Sequence, residues 1–285
     1  MPSDKAGKPA QITNRDYHAH PAVSKSHLDL VARSPRHYWQ RYLNPEAVPP
    51  EPTPAMVVGS AVHTRVLEPE RYQLEYLVEP SDAPKRPTAT QRNAAKPSPA
   101  TIEAIQFWDA FDAQAAKKTI LTREQDALAA AVAAAVWEHP AAALVLGKPG
   151  KVEQSYFWTD EATGERCKCR PDWHSDCRRL VVDLKTTEDA SPAAFARSIH
   201  KFRYHVQANW YQRPFPEAEQ FVFIAVEKSP PYLCAVYVAT PEMIAAGGRV
   251  ADRDLTRLAE CRAADEWPGY SDVIMPIDLP RWSDD

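Results

Sequence analysis

The run Leu180-Val-Val-Asp183-Leu-Lys185-Thr-Thr187 sets an acid and a lysine inside a segment otherwise built for burial. Its apolar, β-branched start predicts a strand over 180–184, and a central one. Asp183 and Lys185 are two residues apart, so on a strand they point to one face. An unpaired carboxylate there would be expensive to bury, and a metal or a partner charge must offset that cost. Upstream, Cys167-Lys-Cys-Arg-Pro-Asp172 reads as a second strand that closes on another acid. Residues 173–179 leave enough chain for a turn, so the two segments are expected to pair and bring Asp172 to Asp183. Two converging acids repel unless a cation lies between them. Hard divalent ions such as magnesium prefer carboxylate, carbonyl and water oxygens. A lysine on the same face can hold an anionic substrate or an attacking water. The chemistry predicted is metal-dependent phosphodiester hydrolysis.

Composition narrows the partners. The 285 residues suit one large domain or two modest ones, and carry a formal net charge of -4, so the chain is not a general polyanion binder. Any nucleic-acid surface must be a local basic patch. Basic residues do crowd the proposed site: Arg166, Lys168, Arg170, Arg178 and Arg179, then Arg197, Lys201, Arg203 and His205. A charge run is ordinarily a solvated face; around an acid-rich site it predicts a phosphate-tracking groove. No apolar run approaches the roughly 18 residues of a membrane span, and the polar N-terminus has no signal-peptide core. Five cysteines without disulfide-framework spacing predict a reducing, cytoplasmic setting. Cys167, Cys169, His174 and Cys177 raise zinc or an iron–sulfur cluster as a rival site, but their spacing matches no standard pattern. Buried thiols are the simpler account.

With 27 prolines against 8 glycines, the chain is expected to have stiff turns and short elements. Residues 1–11 read as a disordered lead-in, and 12–285 as a single domain. Helices are expected at 25–33, from Pro35 onward, and at 55–67, 101–117, 122–137, 191–213 and 241–264. Gly59 and His63, four apart in the 55–67 helix, share a face. Strands are expected at 72–78, 151–159, 166–170, 180–184, 221–227 and 232–239. The proline-rich stretch 79–100 reads as a surface loop or mobile flap. Strands framed by helices give a mixed α/β fold.

Pro171-Asp172 followed by Asp183-Leu184-Lys185 resembles the signature of the PD-(D/E)xK nuclease superfamily. Further stretches resemble one branch, the RecE-type exonuclease domain (exodeoxyribonuclease VIII). They are Tyr17-His-Ala-His-Pro-Ala-Val-Ser-Lys-Ser26, Gly59-Ser-Ala-Val-His63, Val66-Leu-Glu-Pro-Glu70, Tyr204-His-Val-Gln207 and Leu279-Pro-Arg-Trp282. The resemblance implies a restriction-endonuclease-like core, a mixed central sheet flanked by helices. It implies that Asp172 and Asp183 bind metal, with the Leu184 carbonyl and His63 as further ligands. Lys185 would steady the attacking water or the scissile phosphate, and Glu153 matches the acid that precedes the hairpin. Gln207 and Tyr211 fit a Gln-x-x-x-Tyr element that could reach a phosphate or a base, although Gln212-Arg-Pro-Phe-Pro216 cuts that helix short. Arg170 and Arg203 join them as expected substrate contacts.

A phosphodiester repels nucleophiles, so cations are expected at both the attacking and the leaving oxygen. Two magnesium ions, or manganese in their place, about 3.5–4 Å apart would serve both. The resemblance implies 5′→3′ degradation of one strand of linear duplex DNA, leaving 3′ single-stranded tails for recombination. It also implies a homo-oligomeric ring, commonly a tetramer, and a single-strand annealing recombinase as partner. A restriction-like endonuclease on the same core, or a DNA-binding module without catalysis, are the alternatives.

Overall fold

The computed structural model describes residues 7–10, 12–48 and 50–278. The first elements are strand β1 (Lys8–Ala10) and helices α1 (Asn14–Ala19), α2 (Lys25–Arg33), α3 (Pro35–Tyr42), α4 (Pro54–Leu67) and α5 (Pro69–Glu75). Strand β2 (Tyr76–Val78) leads into an excursion with α6 (Ala89–Arg92) and α7 (Pro99–Ala115), which returns along β3 (Thr119–Leu121), parallel to β2. Helices α8 (Arg123–Glu138) and α9 (Pro140–Leu146) precede strands β4 (Gly150–Val152), β5 (Ser155–Thr159), β6 (Arg166–Cys169), β7 (Trp173–Ser175) and β8 (Leu180–Thr187). The last elements are α10 (Pro192–Lys201), α11 (Tyr204–Gln212), β9 (Gln220–Glu227), β10 (Cys234–Val238) and α12 (Pro241–Ala264).

Proline accounts for many of the helix starts. Seven of these helices carry it in the first turn, where its missing N–H would have had no partner anyway. At Ser34, Thr53, Ser98 and Thr240 the capping hydroxyl accepts a hydrogen bond from the backbone N–H three residues on.

The main sheet runs β10-β9-β8-β7-β4, with β8 and β9 parallel and the other neighbours antiparallel. Alternation along its central strands divides the core. Val181, Phe221, Phe223 and Ala225 pack with α2, α11 and α12. Leu180, Val182, Leu184, Val222, Ile224 and Val226 pack with α4, α8 and α9 on the other face. Each fully buried valine, leucine, isoleucine or phenylalanine contributes about 1.5–3 kcal/mol. The result is the expected mixed sheet flanked by helices, with β8 at its centre. No single helix among the described residues is long and apolar enough to cross a membrane.

Several local expectations are corrected. Residues 8–10 of the lead-in form β1 and pair with β5, Lys8 opposite Phe157; residues 1–6 and 11 lie outside the described residues. The segment 72–78 is helical up to Glu75 and becomes strand only afterwards. The strand expected over 151–159 breaks at Glu153, whose φ is 50°. The helix expected over 191–213 is two, because Arg203 at φ 56° reverses the chain between α10 and α11. Cys167–Asp172 does not pair with β8. Instead β6 pairs with β5, and the residues read as a turn supply β7, which pairs with β8 and sets Trp173 opposite Val182. The stretch 79–100 carries α6 and is fastened to α7. Arg86 grips Asp112 through two bonds of 2.9 Å and stacks 4.1 Å from the Trp108 ring. Arg92 binds Asp109 at 2.7 Å, and the Trp108 indole donates to the Pro84 carbonyl at 2.8 Å.

Candidate active site

β8 presents Asp183 and Lys185 to the face covered by α11. Asp183 is wholly buried, and Gln207 donates its Nε2–H to Oδ1 at 2.8 Å. The Lys185 ammonium lies 2.5 Å from Oδ2 and 4.7 Å from the Tyr204 ring centroid. This short, charge-assisted contact makes Lys185 the partner of Oδ2.

The link between β6 and β7 delivers Asp172, whose Oδ2 accepts the Leu184 N–H at 2.7 Å. His63 Nδ1, from α4, stands 3.5 Å from the same oxygen. Glu153 occupies the link between β4 and β5, and its N–H donates to the Asp172 carbonyl at 3.0 Å. Left-handed backbone costs a residue with a side chain about 1–3 kcal/mol and concentrates at functional sites. Here it brings the carboxylate to Asp172 and His63, and candidate ligand atoms of all three lie within 4.8 Å of one another.

This cluster has too little positive charge for its acids. Burial, then the Asp172 charge, pushes Glu153 up to about 8. Burial also raises Asp172 against the pull of Lys185 and the Leu184 N–H. Asp183 is pushed up to about 6 by burial, with Lys185 opposing and Asp172 adding to the rise. Burial and the Lys185 charge push His63 down to about 4, leaving a neutral imidazole. For Lys185 burial acts downward, but Asp183 and Asp172 outweigh it and hold the ammonium above the usual lysine range. Carboxylate oxygens with one neutral imidazole suit magnesium or manganese. A divalent ion fits His63, Glu153 and Asp172, with Asp183 beside them.

The expected ligand set was His63, Asp172, Asp183 and the Leu184 carbonyl. The structure draws Glu153 into the cluster with His63 and Asp172, while Asp183 faces Lys185 and Gln207. His63 and Glu153 line an open cavity of about 380 Å³ with Asn14, His18, Gly59 and Arg71. A cavity of about 750 Å³ adjoins it along Glu153, Glu68 and Arg71. Gly59 sits mid-helix on this wall, and a Cβ there would meet nothing within 4 Å.

The expected basic groove is only partly assembled. Arg170 lines both cavities, but its guanidinium donates to Ser155, to Asn14 and to the Ile12 and Thr13 carbonyls. Lys168 is buried against α1. Arg203 pairs with Asp254 and lies 3.4 Å from Asp29. Arg178 and Arg179 face Glu217 and Glu219 ahead of the start of β8. Gln207 reaches Asp183, and Tyr211 lines a third cavity, of about 260 Å³, with Lys25 and His18. Among the suspected soft ligands, His174 is engaged by the Tyr156 hydroxyl at 2.7 Å and the Ser175 carbonyl at 2.9 Å. Burial pushes the Cys167 thiol up to about 12 and Cys169 well above its ordinary value. Tyr204, which braces Lys185, was not expected. Its position three residues before Gln207 on a helix is the signal that places both on one face.

Residues 24–279 match the family described as a PDDEXK-like domain of unknown function (DUF3799). The match spans His63, Glu153, Asp172, Asp183 and Lys185; Leu279-Pro-Arg-Trp282 lies outside the described residues. No curated protein matches the chain. The crystal structure of a "Putative exonuclease" from Eubacterium rectale superposes with a TM-score of 0.55 at 13% identity, over 96% of this chain and 98% of that one. SSO0001 superposes with a TM-score of 0.29 at 16% identity, over 47% of this chain and 68% of that one, too distant to carry an argument. A central β8 bearing Asp183 and Lys185, with Asp172 brought beside it, thus sits in a chain that belongs to the PDDEXK-like family DUF3799.

Proposed function

We propose that this chain is a divalent-metal-dependent exodeoxyribonuclease acting on linear duplex DNA. The observation that carries the proposal is the convergence of Asp172, Asp183, Lys185, Glu153 and His63 beside an open cavity, with raised acids and a neutral histidine. His63, Glu153 and Asp172 hold the ion, magnesium or manganese. When bound, it supplies the charge that polarises a phosphoryl oxygen and makes water more acidic.

The chain's own residues do the remaining work. Gln207 fixes the orientation of Asp183 through Oδ1. Asp183 and the Tyr204 ring hold the Lys185 ammonium, which stays charged and donates to a phosphate oxygen. The RecE resemblance supports one-strand 5′→3′ degradation that leaves 3′ tails, a ring-shaped homo-oligomer and an annealing partner. The Eubacterium rectale protein that shares this fold is named a "Putative exonuclease", which agrees with the exonuclease reading.

The test is end-labelled linear DNA and covalently closed circular DNA incubated with magnesium. Loss of the linear substrate with the circle intact is the expected result. Cleavage of the circle would point to an endonuclease on the same core.

A further inference from the structure

α1 is a weak helix, yet two cations are committed to it. It has six residues, of which only Tyr17 is buried, so neither its length nor its packing secures it. Lys168 donates to the carbonyls of Tyr17 at 2.5 Å and His20 at 2.7 Å. Arg170 donates to the carbonyls of Ile12 at 3.1 Å and Thr13 at 3.3 Å, and to Asn14 Oδ1 at 3.1 Å. Both cations also face the Tyr17 ring, 4.6 and 4.4 Å from its centroid. Lys168 is only 2% exposed, and desolvating an ammonium is costly. The two carbonyls and the Tyr17 ring offset that cost, and in doing so fix the position of α1.

α1 holds His18 between two cavities. His18 lines the 380 Å³ cavity with His63 and Glu153, and the 260 Å³ cavity with Lys25, Gln207 and Tyr211. Among the described residues it alone lines both. Its ring meets Tyr17 edge-on at 5.5 Å and makes no hydrogen bond among the described residues. The protein behind the ring and the charges of Lys168 and Arg170 hold its pKa below the usual histidine range. At neutral pH it is an uncharged ring with one N–H to give.

We infer that His18 is a substrate-contacting residue, its imidazole N–H binding a phosphate oxygen where the DNA strand passes from one cavity to the other. This rests on the nuclease reading above. Lys168 and Arg170 are positioning residues that act through α1.

The test separates binding from cleavage. Wild type, His18→Ala and His18→Gln are titrated with labelled linear duplex DNA in calcium, and assayed for cleavage in magnesium. His18→Ala is expected to weaken binding about tenfold or more. KM should rise by a similar factor while kcat stays within about twofold. His18→Gln keeps a neutral N–H donor and should recover most of the loss. Magnesium affinity and Tm should match wild type in both variants. Wild-type binding by His18→Ala overturns the inference. So does a loss accompanied by weaker magnesium binding or a lower Tm, which would make His18 structural. If wild type binds duplex DNA and cleaves none, the nuclease reading fails and the calcium titration still judges His18.

Discussion

Gln207 Nε2 donates to Asp183 Oδ1 at 2.8 Å, while Oδ2 of the same wholly buried acid pairs with the Lys185 ammonium at 2.5 Å. Each oxygen is thus held by a different side chain, one from α11 and one from β8 itself. A helix residue thereby sets the orientation of a strand acid.

Gln207→Ala leaves Oδ1 without its donor. Outer-shell partners of this kind are worth about 10–100-fold in metal affinity or activity. A magnesium titration of DNA cleavage should show a loss in that range, with Tm lowered by several degrees because a buried acceptor loses its donor. Unaltered activity would mean that Asp183 needs no such orientation.

Gly59→Ala places a methyl group on the cavity wall, where nothing lies within 4 Å. Mid-helix alanine in place of glycine should stabilise α4 by about 0.5–1 kcal/mol. Cleavage should fall severalfold, because the methyl group enters space the substrate uses. Urea unfolding and initial rates measure the two effects. A variant both more stable and fully active would show that DNA does not approach this wall.

The parts of the site legible in the sequence are those governed by strand period. Asp183 and Lys185 can be placed on one face from their spacing, and an acid inside an apolar run has few inexpensive explanations. Strand pairing is not legible in the same way. β7 is three residues long, too short to show periodicity, and it reads as turn; Asp172 therefore reaches β8 along a different route from the one expected. The reversal at Glu153 is hidden because the alternation of Val152, Gln154, Tyr156 and Trp158 continues across it. Charge is visible in Lys168, Arg170 and Arg203, but their partners lie far from them in the chain, in the carbonyls of Tyr17 and Ile12, or in Asp254.

Glu153 sets a pH signature. Its folded value of about 8 exceeds the roughly 4.3 of an unfolded glutamate, so the metal-free native state keeps a proton that the unfolded chain gives up. Stability from this group is fully present below about pH 4.3 and is lost as pH rises through about 8. His63, pushed down to about 4, acts in the opposite sense only below about pH 6.5, and Asp183 at about 6 has largely ionised by then. The metal-free Tm should therefore fall between about pH 6.5 and 8. Magnesium binding at pH 7 should release close to one proton, read by calorimetry in buffers of different ionisation enthalpy. Glu153→Gln should flatten the Tm slope and remove that proton.

Lys168→Met keeps the bulk of the side chain and removes its donors to Tyr17 and His20. A buried acceptor left unpaired costs about 1–3 kcal/mol. Amide hydrogen exchange should show α1 losing its protection before the sheet does. Unchanged protection would mean that α1 is held by something other than this clamp.

The central claim is that Asp172, Asp183 and Lys185, with Glu153 and His63, form a metal-dependent nuclease site. The most direct measurement compares magnesium-dependent degradation of end-labelled linear duplex DNA by wild type, Asp183→Ala and Lys185→Ala, each folded at the assay temperature. The account predicts degradation by wild type that a chelator stops, and loss of at least about a hundredfold in each variant, the scale of removing one transition-state charge contact. Full magnesium-dependent activity in Asp183→Ala would contradict it.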